Sequence, residues 1–184
     1  MKLYFLKRFS TTVLLSVLFF SCSSDLDFDQ TNDLKLEPVF VANLAYFDIA
    51  ANQFVDNGTE QQIAFDQQNF DIFKEKFFKD NLAKAEFNFE IDNTVNRAFT
   101  LNILLLNDND QILQTITLAI PAYSGTSNVI KYPTEVFENQ RLDLLKQSRK
   151  LGFVILMAPG PPLTANSTGS LKLRSGATAY MVIE

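Results

Sequence analysis

Cys22 is the only cysteine of the chain, histidine and tryptophan are absent, and the side chains left for chemistry are carboxylates, hydroxyls and amines. Without histidine there can be no Ser-His-Asp triad and no Cys-His nucleophile, and one thiol without imidazole is not a usual zinc or copper site. Carboxylate, Ser/Lys or Tyr chemistry remains. A glycosidase needs two carboxyl groups about 5–10 Å apart across a cleft. Glu86 and Glu90 stand four residues apart in an alternating strand pattern, which puts them on one face about 13 Å apart. No catalytic residue and no cofactor are assigned, and the chain is read as a non-enzyme. Asp25, Asp27 and Asp29 have the D-x-D-x-D spacing that opens an EF-hand loop, but Gln30 stands where that loop needs glycine and Leu36 where it needs a bidentate Glu. The Asn/Asp run 107–110 offers oxygens too, yet a tight hairpin asks for the same residues. No metal site is assigned. Asn57-Gly58-Thr59 and Asn166-Ser167-Thr168 match glycosylation acceptors and are read as turn residues.

What positions Cys22 is the segment before it. A basic start (Lys2, Lys7, Arg8) leads into the apolar run 13–20, which ends at Ser21-Cys22. An apolar core of about 7–15 residues behind a positive start is a secretory signal, whereas a membrane span needs about 20. The cut is therefore expected before Cys22, giving a signal peptide over 1–21. Leu18-Phe19-Phe20-Ser21-Cys22 resembles the lipobox of bacterial lipoproteins, with Phe19 where that family prefers leucine and Phe20 where it prefers a small residue. The resemblance implies that Cys22 is acylated and anchors the chain in a membrane. Ser23, Ser24, Asp25, Asp27 and Asp29 resemble the acidic segment behind the lipidated cysteine of Bacteroidetes lipoproteins, read there as a surface-export signal; with or without that signal, the segment is a solvated spacer in preference to a calcium loop. Over its whole length the chain looks like the small uncharacterised lipoproteins of Flavobacteria and their relatives. That likeness implies an outer-membrane location in the cell envelope and brings no known activity.

Residues 22–35 are read as lipidated cysteine and tether, and 36–184 as a single domain. Three of the 16 basic residues and no acidic one precede Cys22, so the processed chain carries 13 basic against 21 acidic side chains, a net charge of −8. Such a surface repels phosphate, which argues against nucleic acid as a partner. With Cys22 acylated no disulfide is available, and the fold rests on a core rich in phenylalanine, fourteen of which follow Cys22.

Alternation predicts strands over 39–49, 85–91, 98–106, 112–120, 128–132 and 151–158, and a short one over 63–66. The first is apolar on both faces and is expected inside a sheet. Turn signals at 92–94 and 107–110 make 85–120 a meander. Phe70, Phe73 and Phe77, with Phe78 at the flank, predict a helix over 71–82 capped by Asn69 or Asp71; a second starts at Thr134 or Asn139 and reaches Lys150, with Gly152 as its C′ residue. Lys146, Arg149 and Lys150 suit the carbonyl end of that helix. Pro159-Gly160-Pro161-Pro162 opens the longest loop, and 170–174 with 177–183 closes the chain as a hairpin turned at Gly176.

Many short strands must stack in two layers to bury this much phenylalanine. The expected fold is mainly β: a two-sheet antiparallel β-sandwich, immunoglobulin-like in architecture, with two short helices. Two functions compete: a protein-binding accessory subunit of an envelope assembly, and a glycan-binding lipoprotein of a nutrient-uptake system. Glycan sites favour aromatic platforms, Trp above all, and Tyr46, Tyr132 and Tyr180 lie in strand patterns where burial is expected. A protein partner is therefore favoured, on a surface built from Phe70, Phe73, Phe78, Pro161 and Pro162.

Overall fold

The run Asn107-Asp108-Asn109-Asp110 is the turn about which the chain folds back on itself. Asn107 Oδ1 accepts hydrogen bonds from the backbone N–H groups of Asn109 and Gln111, at 2.9 and 3.0 Å, and Asp110 takes φ +59°, a conformation that Asn and Asp tolerate better than other side chains. The computed structural model describes residues 35–126 and 129–183. In chain order its strands are β1 (Val39–Ala50), β2 (Val55–Asp56), β3 (Thr59–Glu60), β4 (Ile63–Asn69), β5 (Leu82–Asn93), β6 (Phe99–Leu106), β7 (Ile112–Ile120), β8 (Val129–Lys131), β9 (Glu135–Phe137), β10 (Lys150–Met157) and β11 (Ser170–Met181).

Outward from the 107–111 turn the two arms pair antiparallel in nested order: β6 with β7, β5 with β8 and β9, β4 with β10, β1 with β11. Rolling this long hairpin up adds the pairs β11–β5 and β10–β6. The products are a five-stranded sheet in the order β1-β11-β5-β8, with β9 also on β5, and a four-stranded sheet in the order β4-β10-β6-β7. Two stacked antiparallel sheets are the sandwich that the patterning predicts. Their connectivity is the double Greek key of a jelly roll, which departs from the immunoglobulin-like arrangement.

Alternation supplies the core. In β5 the residues Ala85, Phe87, Phe89, Ile91 and Asn93 are buried while their neighbours reach solvent. The apolar four meet Leu101, Ile103 and Leu105 of β6, Leu151 and Phe153 of β10, and Leu171 and Leu173 of β11 in one cluster within the compact unit Leu36–Ile183. The Asn57-Gly58 pair, at φ +50° and +76°, makes a two-residue turn between β2 and β3.

Several elements differ from expectation, each for a local reason. The 92–94 turn does not join neighbours: β5 and β6 lie in opposite sheets, so 85–120 is no meander. Asn93 is the corner, its buried amide donating to the carbonyls of Arg97 and Pro121 and accepting from Val95 N–H. Gly176 is not a turn either; β11 runs straight through it. The 71–82 helix is broken at Glu75, leaving a 3-10 turn over Asp71–Lys74 and α1 over Lys76–Asn81, neither with a side-chain cap. Residues 135–137 are strand β9, since the Thr134 hydroxyl is engaged with Asn88 instead of capping a helix. Helix α2 covers Asn139–Gln147 with no cap from Asn139. It ends without Gly152, which lies in β10. Arg149 closes it instead, donating to the carbonyls of Lys146 and Ser148.

Candidate binding surface

Among the described residues, rolling the hairpin leaves one side of the sandwich unclosed, because β1 ends one sheet and β4 ends the other. β1 was expected inside its sheet and is instead its edge; Val39 is 53% and Val41 77% exposed. Between the two edges runs a cleft of about 200 Å³, floored by Ala45, Phe47, Ile49, Ala64, Phe153 and Ile155. Phe47 and Phe153 meet edge to face across it, 6.4 Å between ring centres. Gln68 of β4 donates to the Leu44 carbonyl of β1 at 3.1 Å and bridges the cleft. Exposed Phe65 lines it from β4, and Val39, Val41 and Ile63 are exposed elsewhere on the same two strands.

The two edges are not equally open. β4 turns Asp66 along the cleft, where its carboxylate accepts from Gln67 N–H, and a charge of this kind discourages strand pairing. β1 is interrupted by a register shift between Asn43 and Tyr46, where the Ser175 hydroxyl donates to the Ala45 carbonyl and accepts from Ala45 N–H. What remains straight and apolar is residues 39–43, whose inner ladder is paired with residues 176–180 of β11.

The residues singled out in the sequence do not form one surface. Cys22, Ser23, Ser24, Asp25, Asp27 and Asp29 lie outside the described residues. Phe73 is core, 4% exposed, and Phe70 stacks edge to face on it and on Phe87. Phe78 is half-buried beside Phe40 and Phe77. Only Phe77 and Ile72 of this segment present large exposed apolar surface, next to the 39–43 edge. Pro161 and Pro162 are exposed but at the other end of the sandwich: the Phe segment precedes Leu82 and borders Arg149, whereas the 158–169 loop follows Met157. That loop is anchored by Arg97, 3% exposed, whose guanidinium pairs with Glu60 at 2.7 Å and donates to the carbonyls of Ala158 and Pro161.

Tyrosine placement also differs. Tyr132 donates to the Ala119 carbonyl, and burial pushes its phenol pKa up. Tyr180 donates to Glu86 beneath the Lys84 ammonium, 4.7 Å above its ring. Tyr46 is 65% exposed. The Lys84 hydrogen bond and then the Tyr180 hydroxyl hold the Glu86 carboxyl below the usual range. Among the described residues no group of three metal-ligating side chains comes together. No helix among them is long and apolar enough to cross a membrane.

The fold is a jelly-roll sandwich with an exposed apolar edge at β1 and shallow depressions on its surface. No family model and no curated protein matches the chain. Among solved structures it is similar to the VP2 subviral particle protein of infectious bursal disease virus, at 11% identity and TM-score 0.47, over 78% of this chain and 32% of that one. It is also similar to a candidate secreted protein from Parabacteroides distasonis, at 10% identity and TM-score 0.43, over 64% and 37% of the two chains. Desmodium yellow mottle tymovirus shows 10% identity and TM-score 0.33 over 81% of this chain. The chain spans about a third of the VP2 protein's length. Likenesses this distant carry nothing about activity or partners.

Proposed function

We propose that the protein is an envelope lipoprotein, anchored in the outer membrane through acylated Cys22, that acts without catalysis as a protein-binding accessory subunit. The partner presents an extended segment that adds to the 39–43 edge of β1. One observation carries this reading. A straight run of edge backbone is flanked by Val39 and Val41 and neighboured by Phe40 and Phe77, all exposed. An unpaired strand edge supplies main-chain hydrogen bonds to an added strand, and apolar side chains on alternate positions supply pockets for its residues. A long apolar edge left open is otherwise an aggregation hazard. Glycan binding is the second reading, favoured by the exposed ring of Tyr46.

Two measurements test the proposal. Wild type should incorporate labelled palmitate and fractionate with membranes, and Cys22→Ala should do neither. A photo-crosslinking residue at position 41 should give a discrete adduct with another envelope protein in intact cells, absent when the probe is at position 131. The adduct of a probe at position 39 should be lost in Val41→Lys. Label retained on Cys22→Ala refutes the anchor. A position-41 probe that captures nothing, or only copies of the same chain, refutes the partner edge.

A further inference from the structure

Gly176 sits mid-way along β11, between Asn43 of β1 and Asn88 of β5. A glycine inside a central strand costs roughly 0.5–1 kcal/mol relative to alanine, and it normally marks a bulge, a bend or a close approach. Gly176 pairs with Asn43 at the border of the register shift in β1, but its φ is not positive and an added Cβ would meet only the Ala42 carbonyl oxygen, at an ordinary 3.6 Å, so a side chain would fit. Its effect is on the solvent face, where it floors a depression of about 220 Å³ lined by Asn43, Asn88, Glu90 and Arg174. A second depression of about 470 Å³, lined by Asn43, Tyr46 and Arg174, adjoins it.

The groups around this floor are unsatisfied donors and an open ring. Asn88 Oδ1 accepts from the Thr134 hydroxyl at 2.7 Å, which leaves its two N–H donors for solvent or ligand. Asn43 is exposed on the edge strand. Tyr46 lies beside Arg174 in the next row, cross-strand from it. The charges of the face are otherwise matched: Glu90 with Lys131 at 3.0 Å, Asp48 with Lys172 at 3.1 Å, Glu86 with Lys84 at 2.7 Å. Asp92, in the row beyond, has a buried Oδ1 without a hydrogen-bond partner. Arg174 is exposed and forms no ion pair among the described residues, although three depressions of this face border it.

We propose that the depression over Gly176 is a saccharide-binding site for a sugar bearing a carboxylate, a uronic acid unit. The guanidinium of Arg174 matches a carboxylate in a two-point fork. Asn43 and Asn88 face hydroxyl groups from either side, Tyr46 offers its ring to a sugar face, and the absent side chain of Gly176 lets the pyranose reach the sheet. The site rests on the glycan reading and not on the protein-binding one: it shares Asn43 with the partner edge, but its other groups, Tyr46, Asn88, Arg174 and Gly176, lie outside residues 39–43.

Isothermal titration of the purified full chain in detergent, with hexagalacturonate as probe and maltohexaose as neutral control, tests it. Hexagalacturonate should bind saturably and maltohexaose should not. Arg174→Ala should weaken binding about tenfold or more, the loss expected for a charge-assisted hydrogen-bonding pair. Gly176→Val should abolish binding while leaving the thermal midpoint unchanged or raised, since a β-branched residue suits a strand. Val39→Lys, four residues along the strand from Asn43, should bind as wild type does, which separates this site from the partner edge. No saturable binding, equal binding of maltohexaose, or binding that survives both Gly176→Val and Arg174→Ala overturns the proposal.

Discussion

Arg97 is the side chain whose removal the structure prices most clearly. It is 3% exposed, pairs with Glu60, and donates to the carbonyls of Ala158 and Pro161, so it ties the β2–β3 hairpin and the 158–169 loop to the corner after β5. Truncation to alanine strands a carboxylate and two carbonyls. Breaking a buried pair costs about 3–5 kcal/mol. Glu60, however, is 21% exposed, and water can reach the survivor, which brings the expectation to about 2–4 kcal/mol. At about 2–4 °C per kcal/mol for a chain of this size, the midpoint should drop by roughly 5–15 °C. Urea denaturation followed by circular dichroism measures it, and the slope should be unchanged if the unfolded state is the same. Gly160 gives a sharper test of the geometry. A Cβ there would lie 2.8 Å from Arg97 Cδ, so Gly160→Ala should cost about 1–3 kcal/mol in wild type and little in the Arg97→Ala background. A loss below about 1 kcal/mol for Arg97→Ala, or strict additivity of the two substitutions, would refute the clamp.

Phe89, 1% exposed at the centre of β5, should cost about 3–5 kcal/mol when truncated to alanine, read from the same urea curves. The Glu86 carboxyl has its pKa depressed by the Lys84 hydrogen bond first and the Tyr180 hydroxyl second. Its contribution is therefore complete above the unfolded value of about 4.3 and is lost as pH falls through the lower folded value. Glu86→Gln should flatten that part of the acid dependence in thermal melts between pH 6 and 2.5, and an unchanged profile would refute it. Calcium or EDTA should leave the melting temperature of the chain unchanged, because a site that binds only the native state would raise it; a rise of several degrees with calcium would revive the Asp/Asn loops as ligands.

The strands that alternate cleanly were legible as elements: β5, β6, β7 and β10 fall within a few residues of where hydrophobic period places them. Connectivity was not, because turn chemistry is ambiguous about what it joins. Asn93 looks like a hairpin residue and is a corner post between sheets. Asn107 looks the same and does turn a hairpin. The difference lies in their partners, Arg97 and Pro121 for one, Asn109 and Gln111 for the other, and only long-range contact decides it. Helix signals misled for the same reason. Thr134 has the side chain of a cap, but its hydroxyl serves Asn88 across the sheet.

Two misreadings fall at the two proposed sites. Apolar residues on both sides of β1 signal burial in a strand that natural sequences must otherwise protect, and here they signal an edge that stays open. Glycine in the middle of β11 signals a turn in sequence, and here it stays within the strand, beside the register shift of β1, where the geometry would accept a side chain. Local rules are expected to fail where a surface is kept for something outside the fold. Val41 and Gly176 are such positions on neighbouring strands, five residues along β1 from Tyr46 and two along β11 from its partner Arg174. Stability selection alone would replace both, Val41 with a charged residue to blunt the edge and Gly176 with a β-branched one to strengthen the strand. The two proposed sites need both residues as they stand.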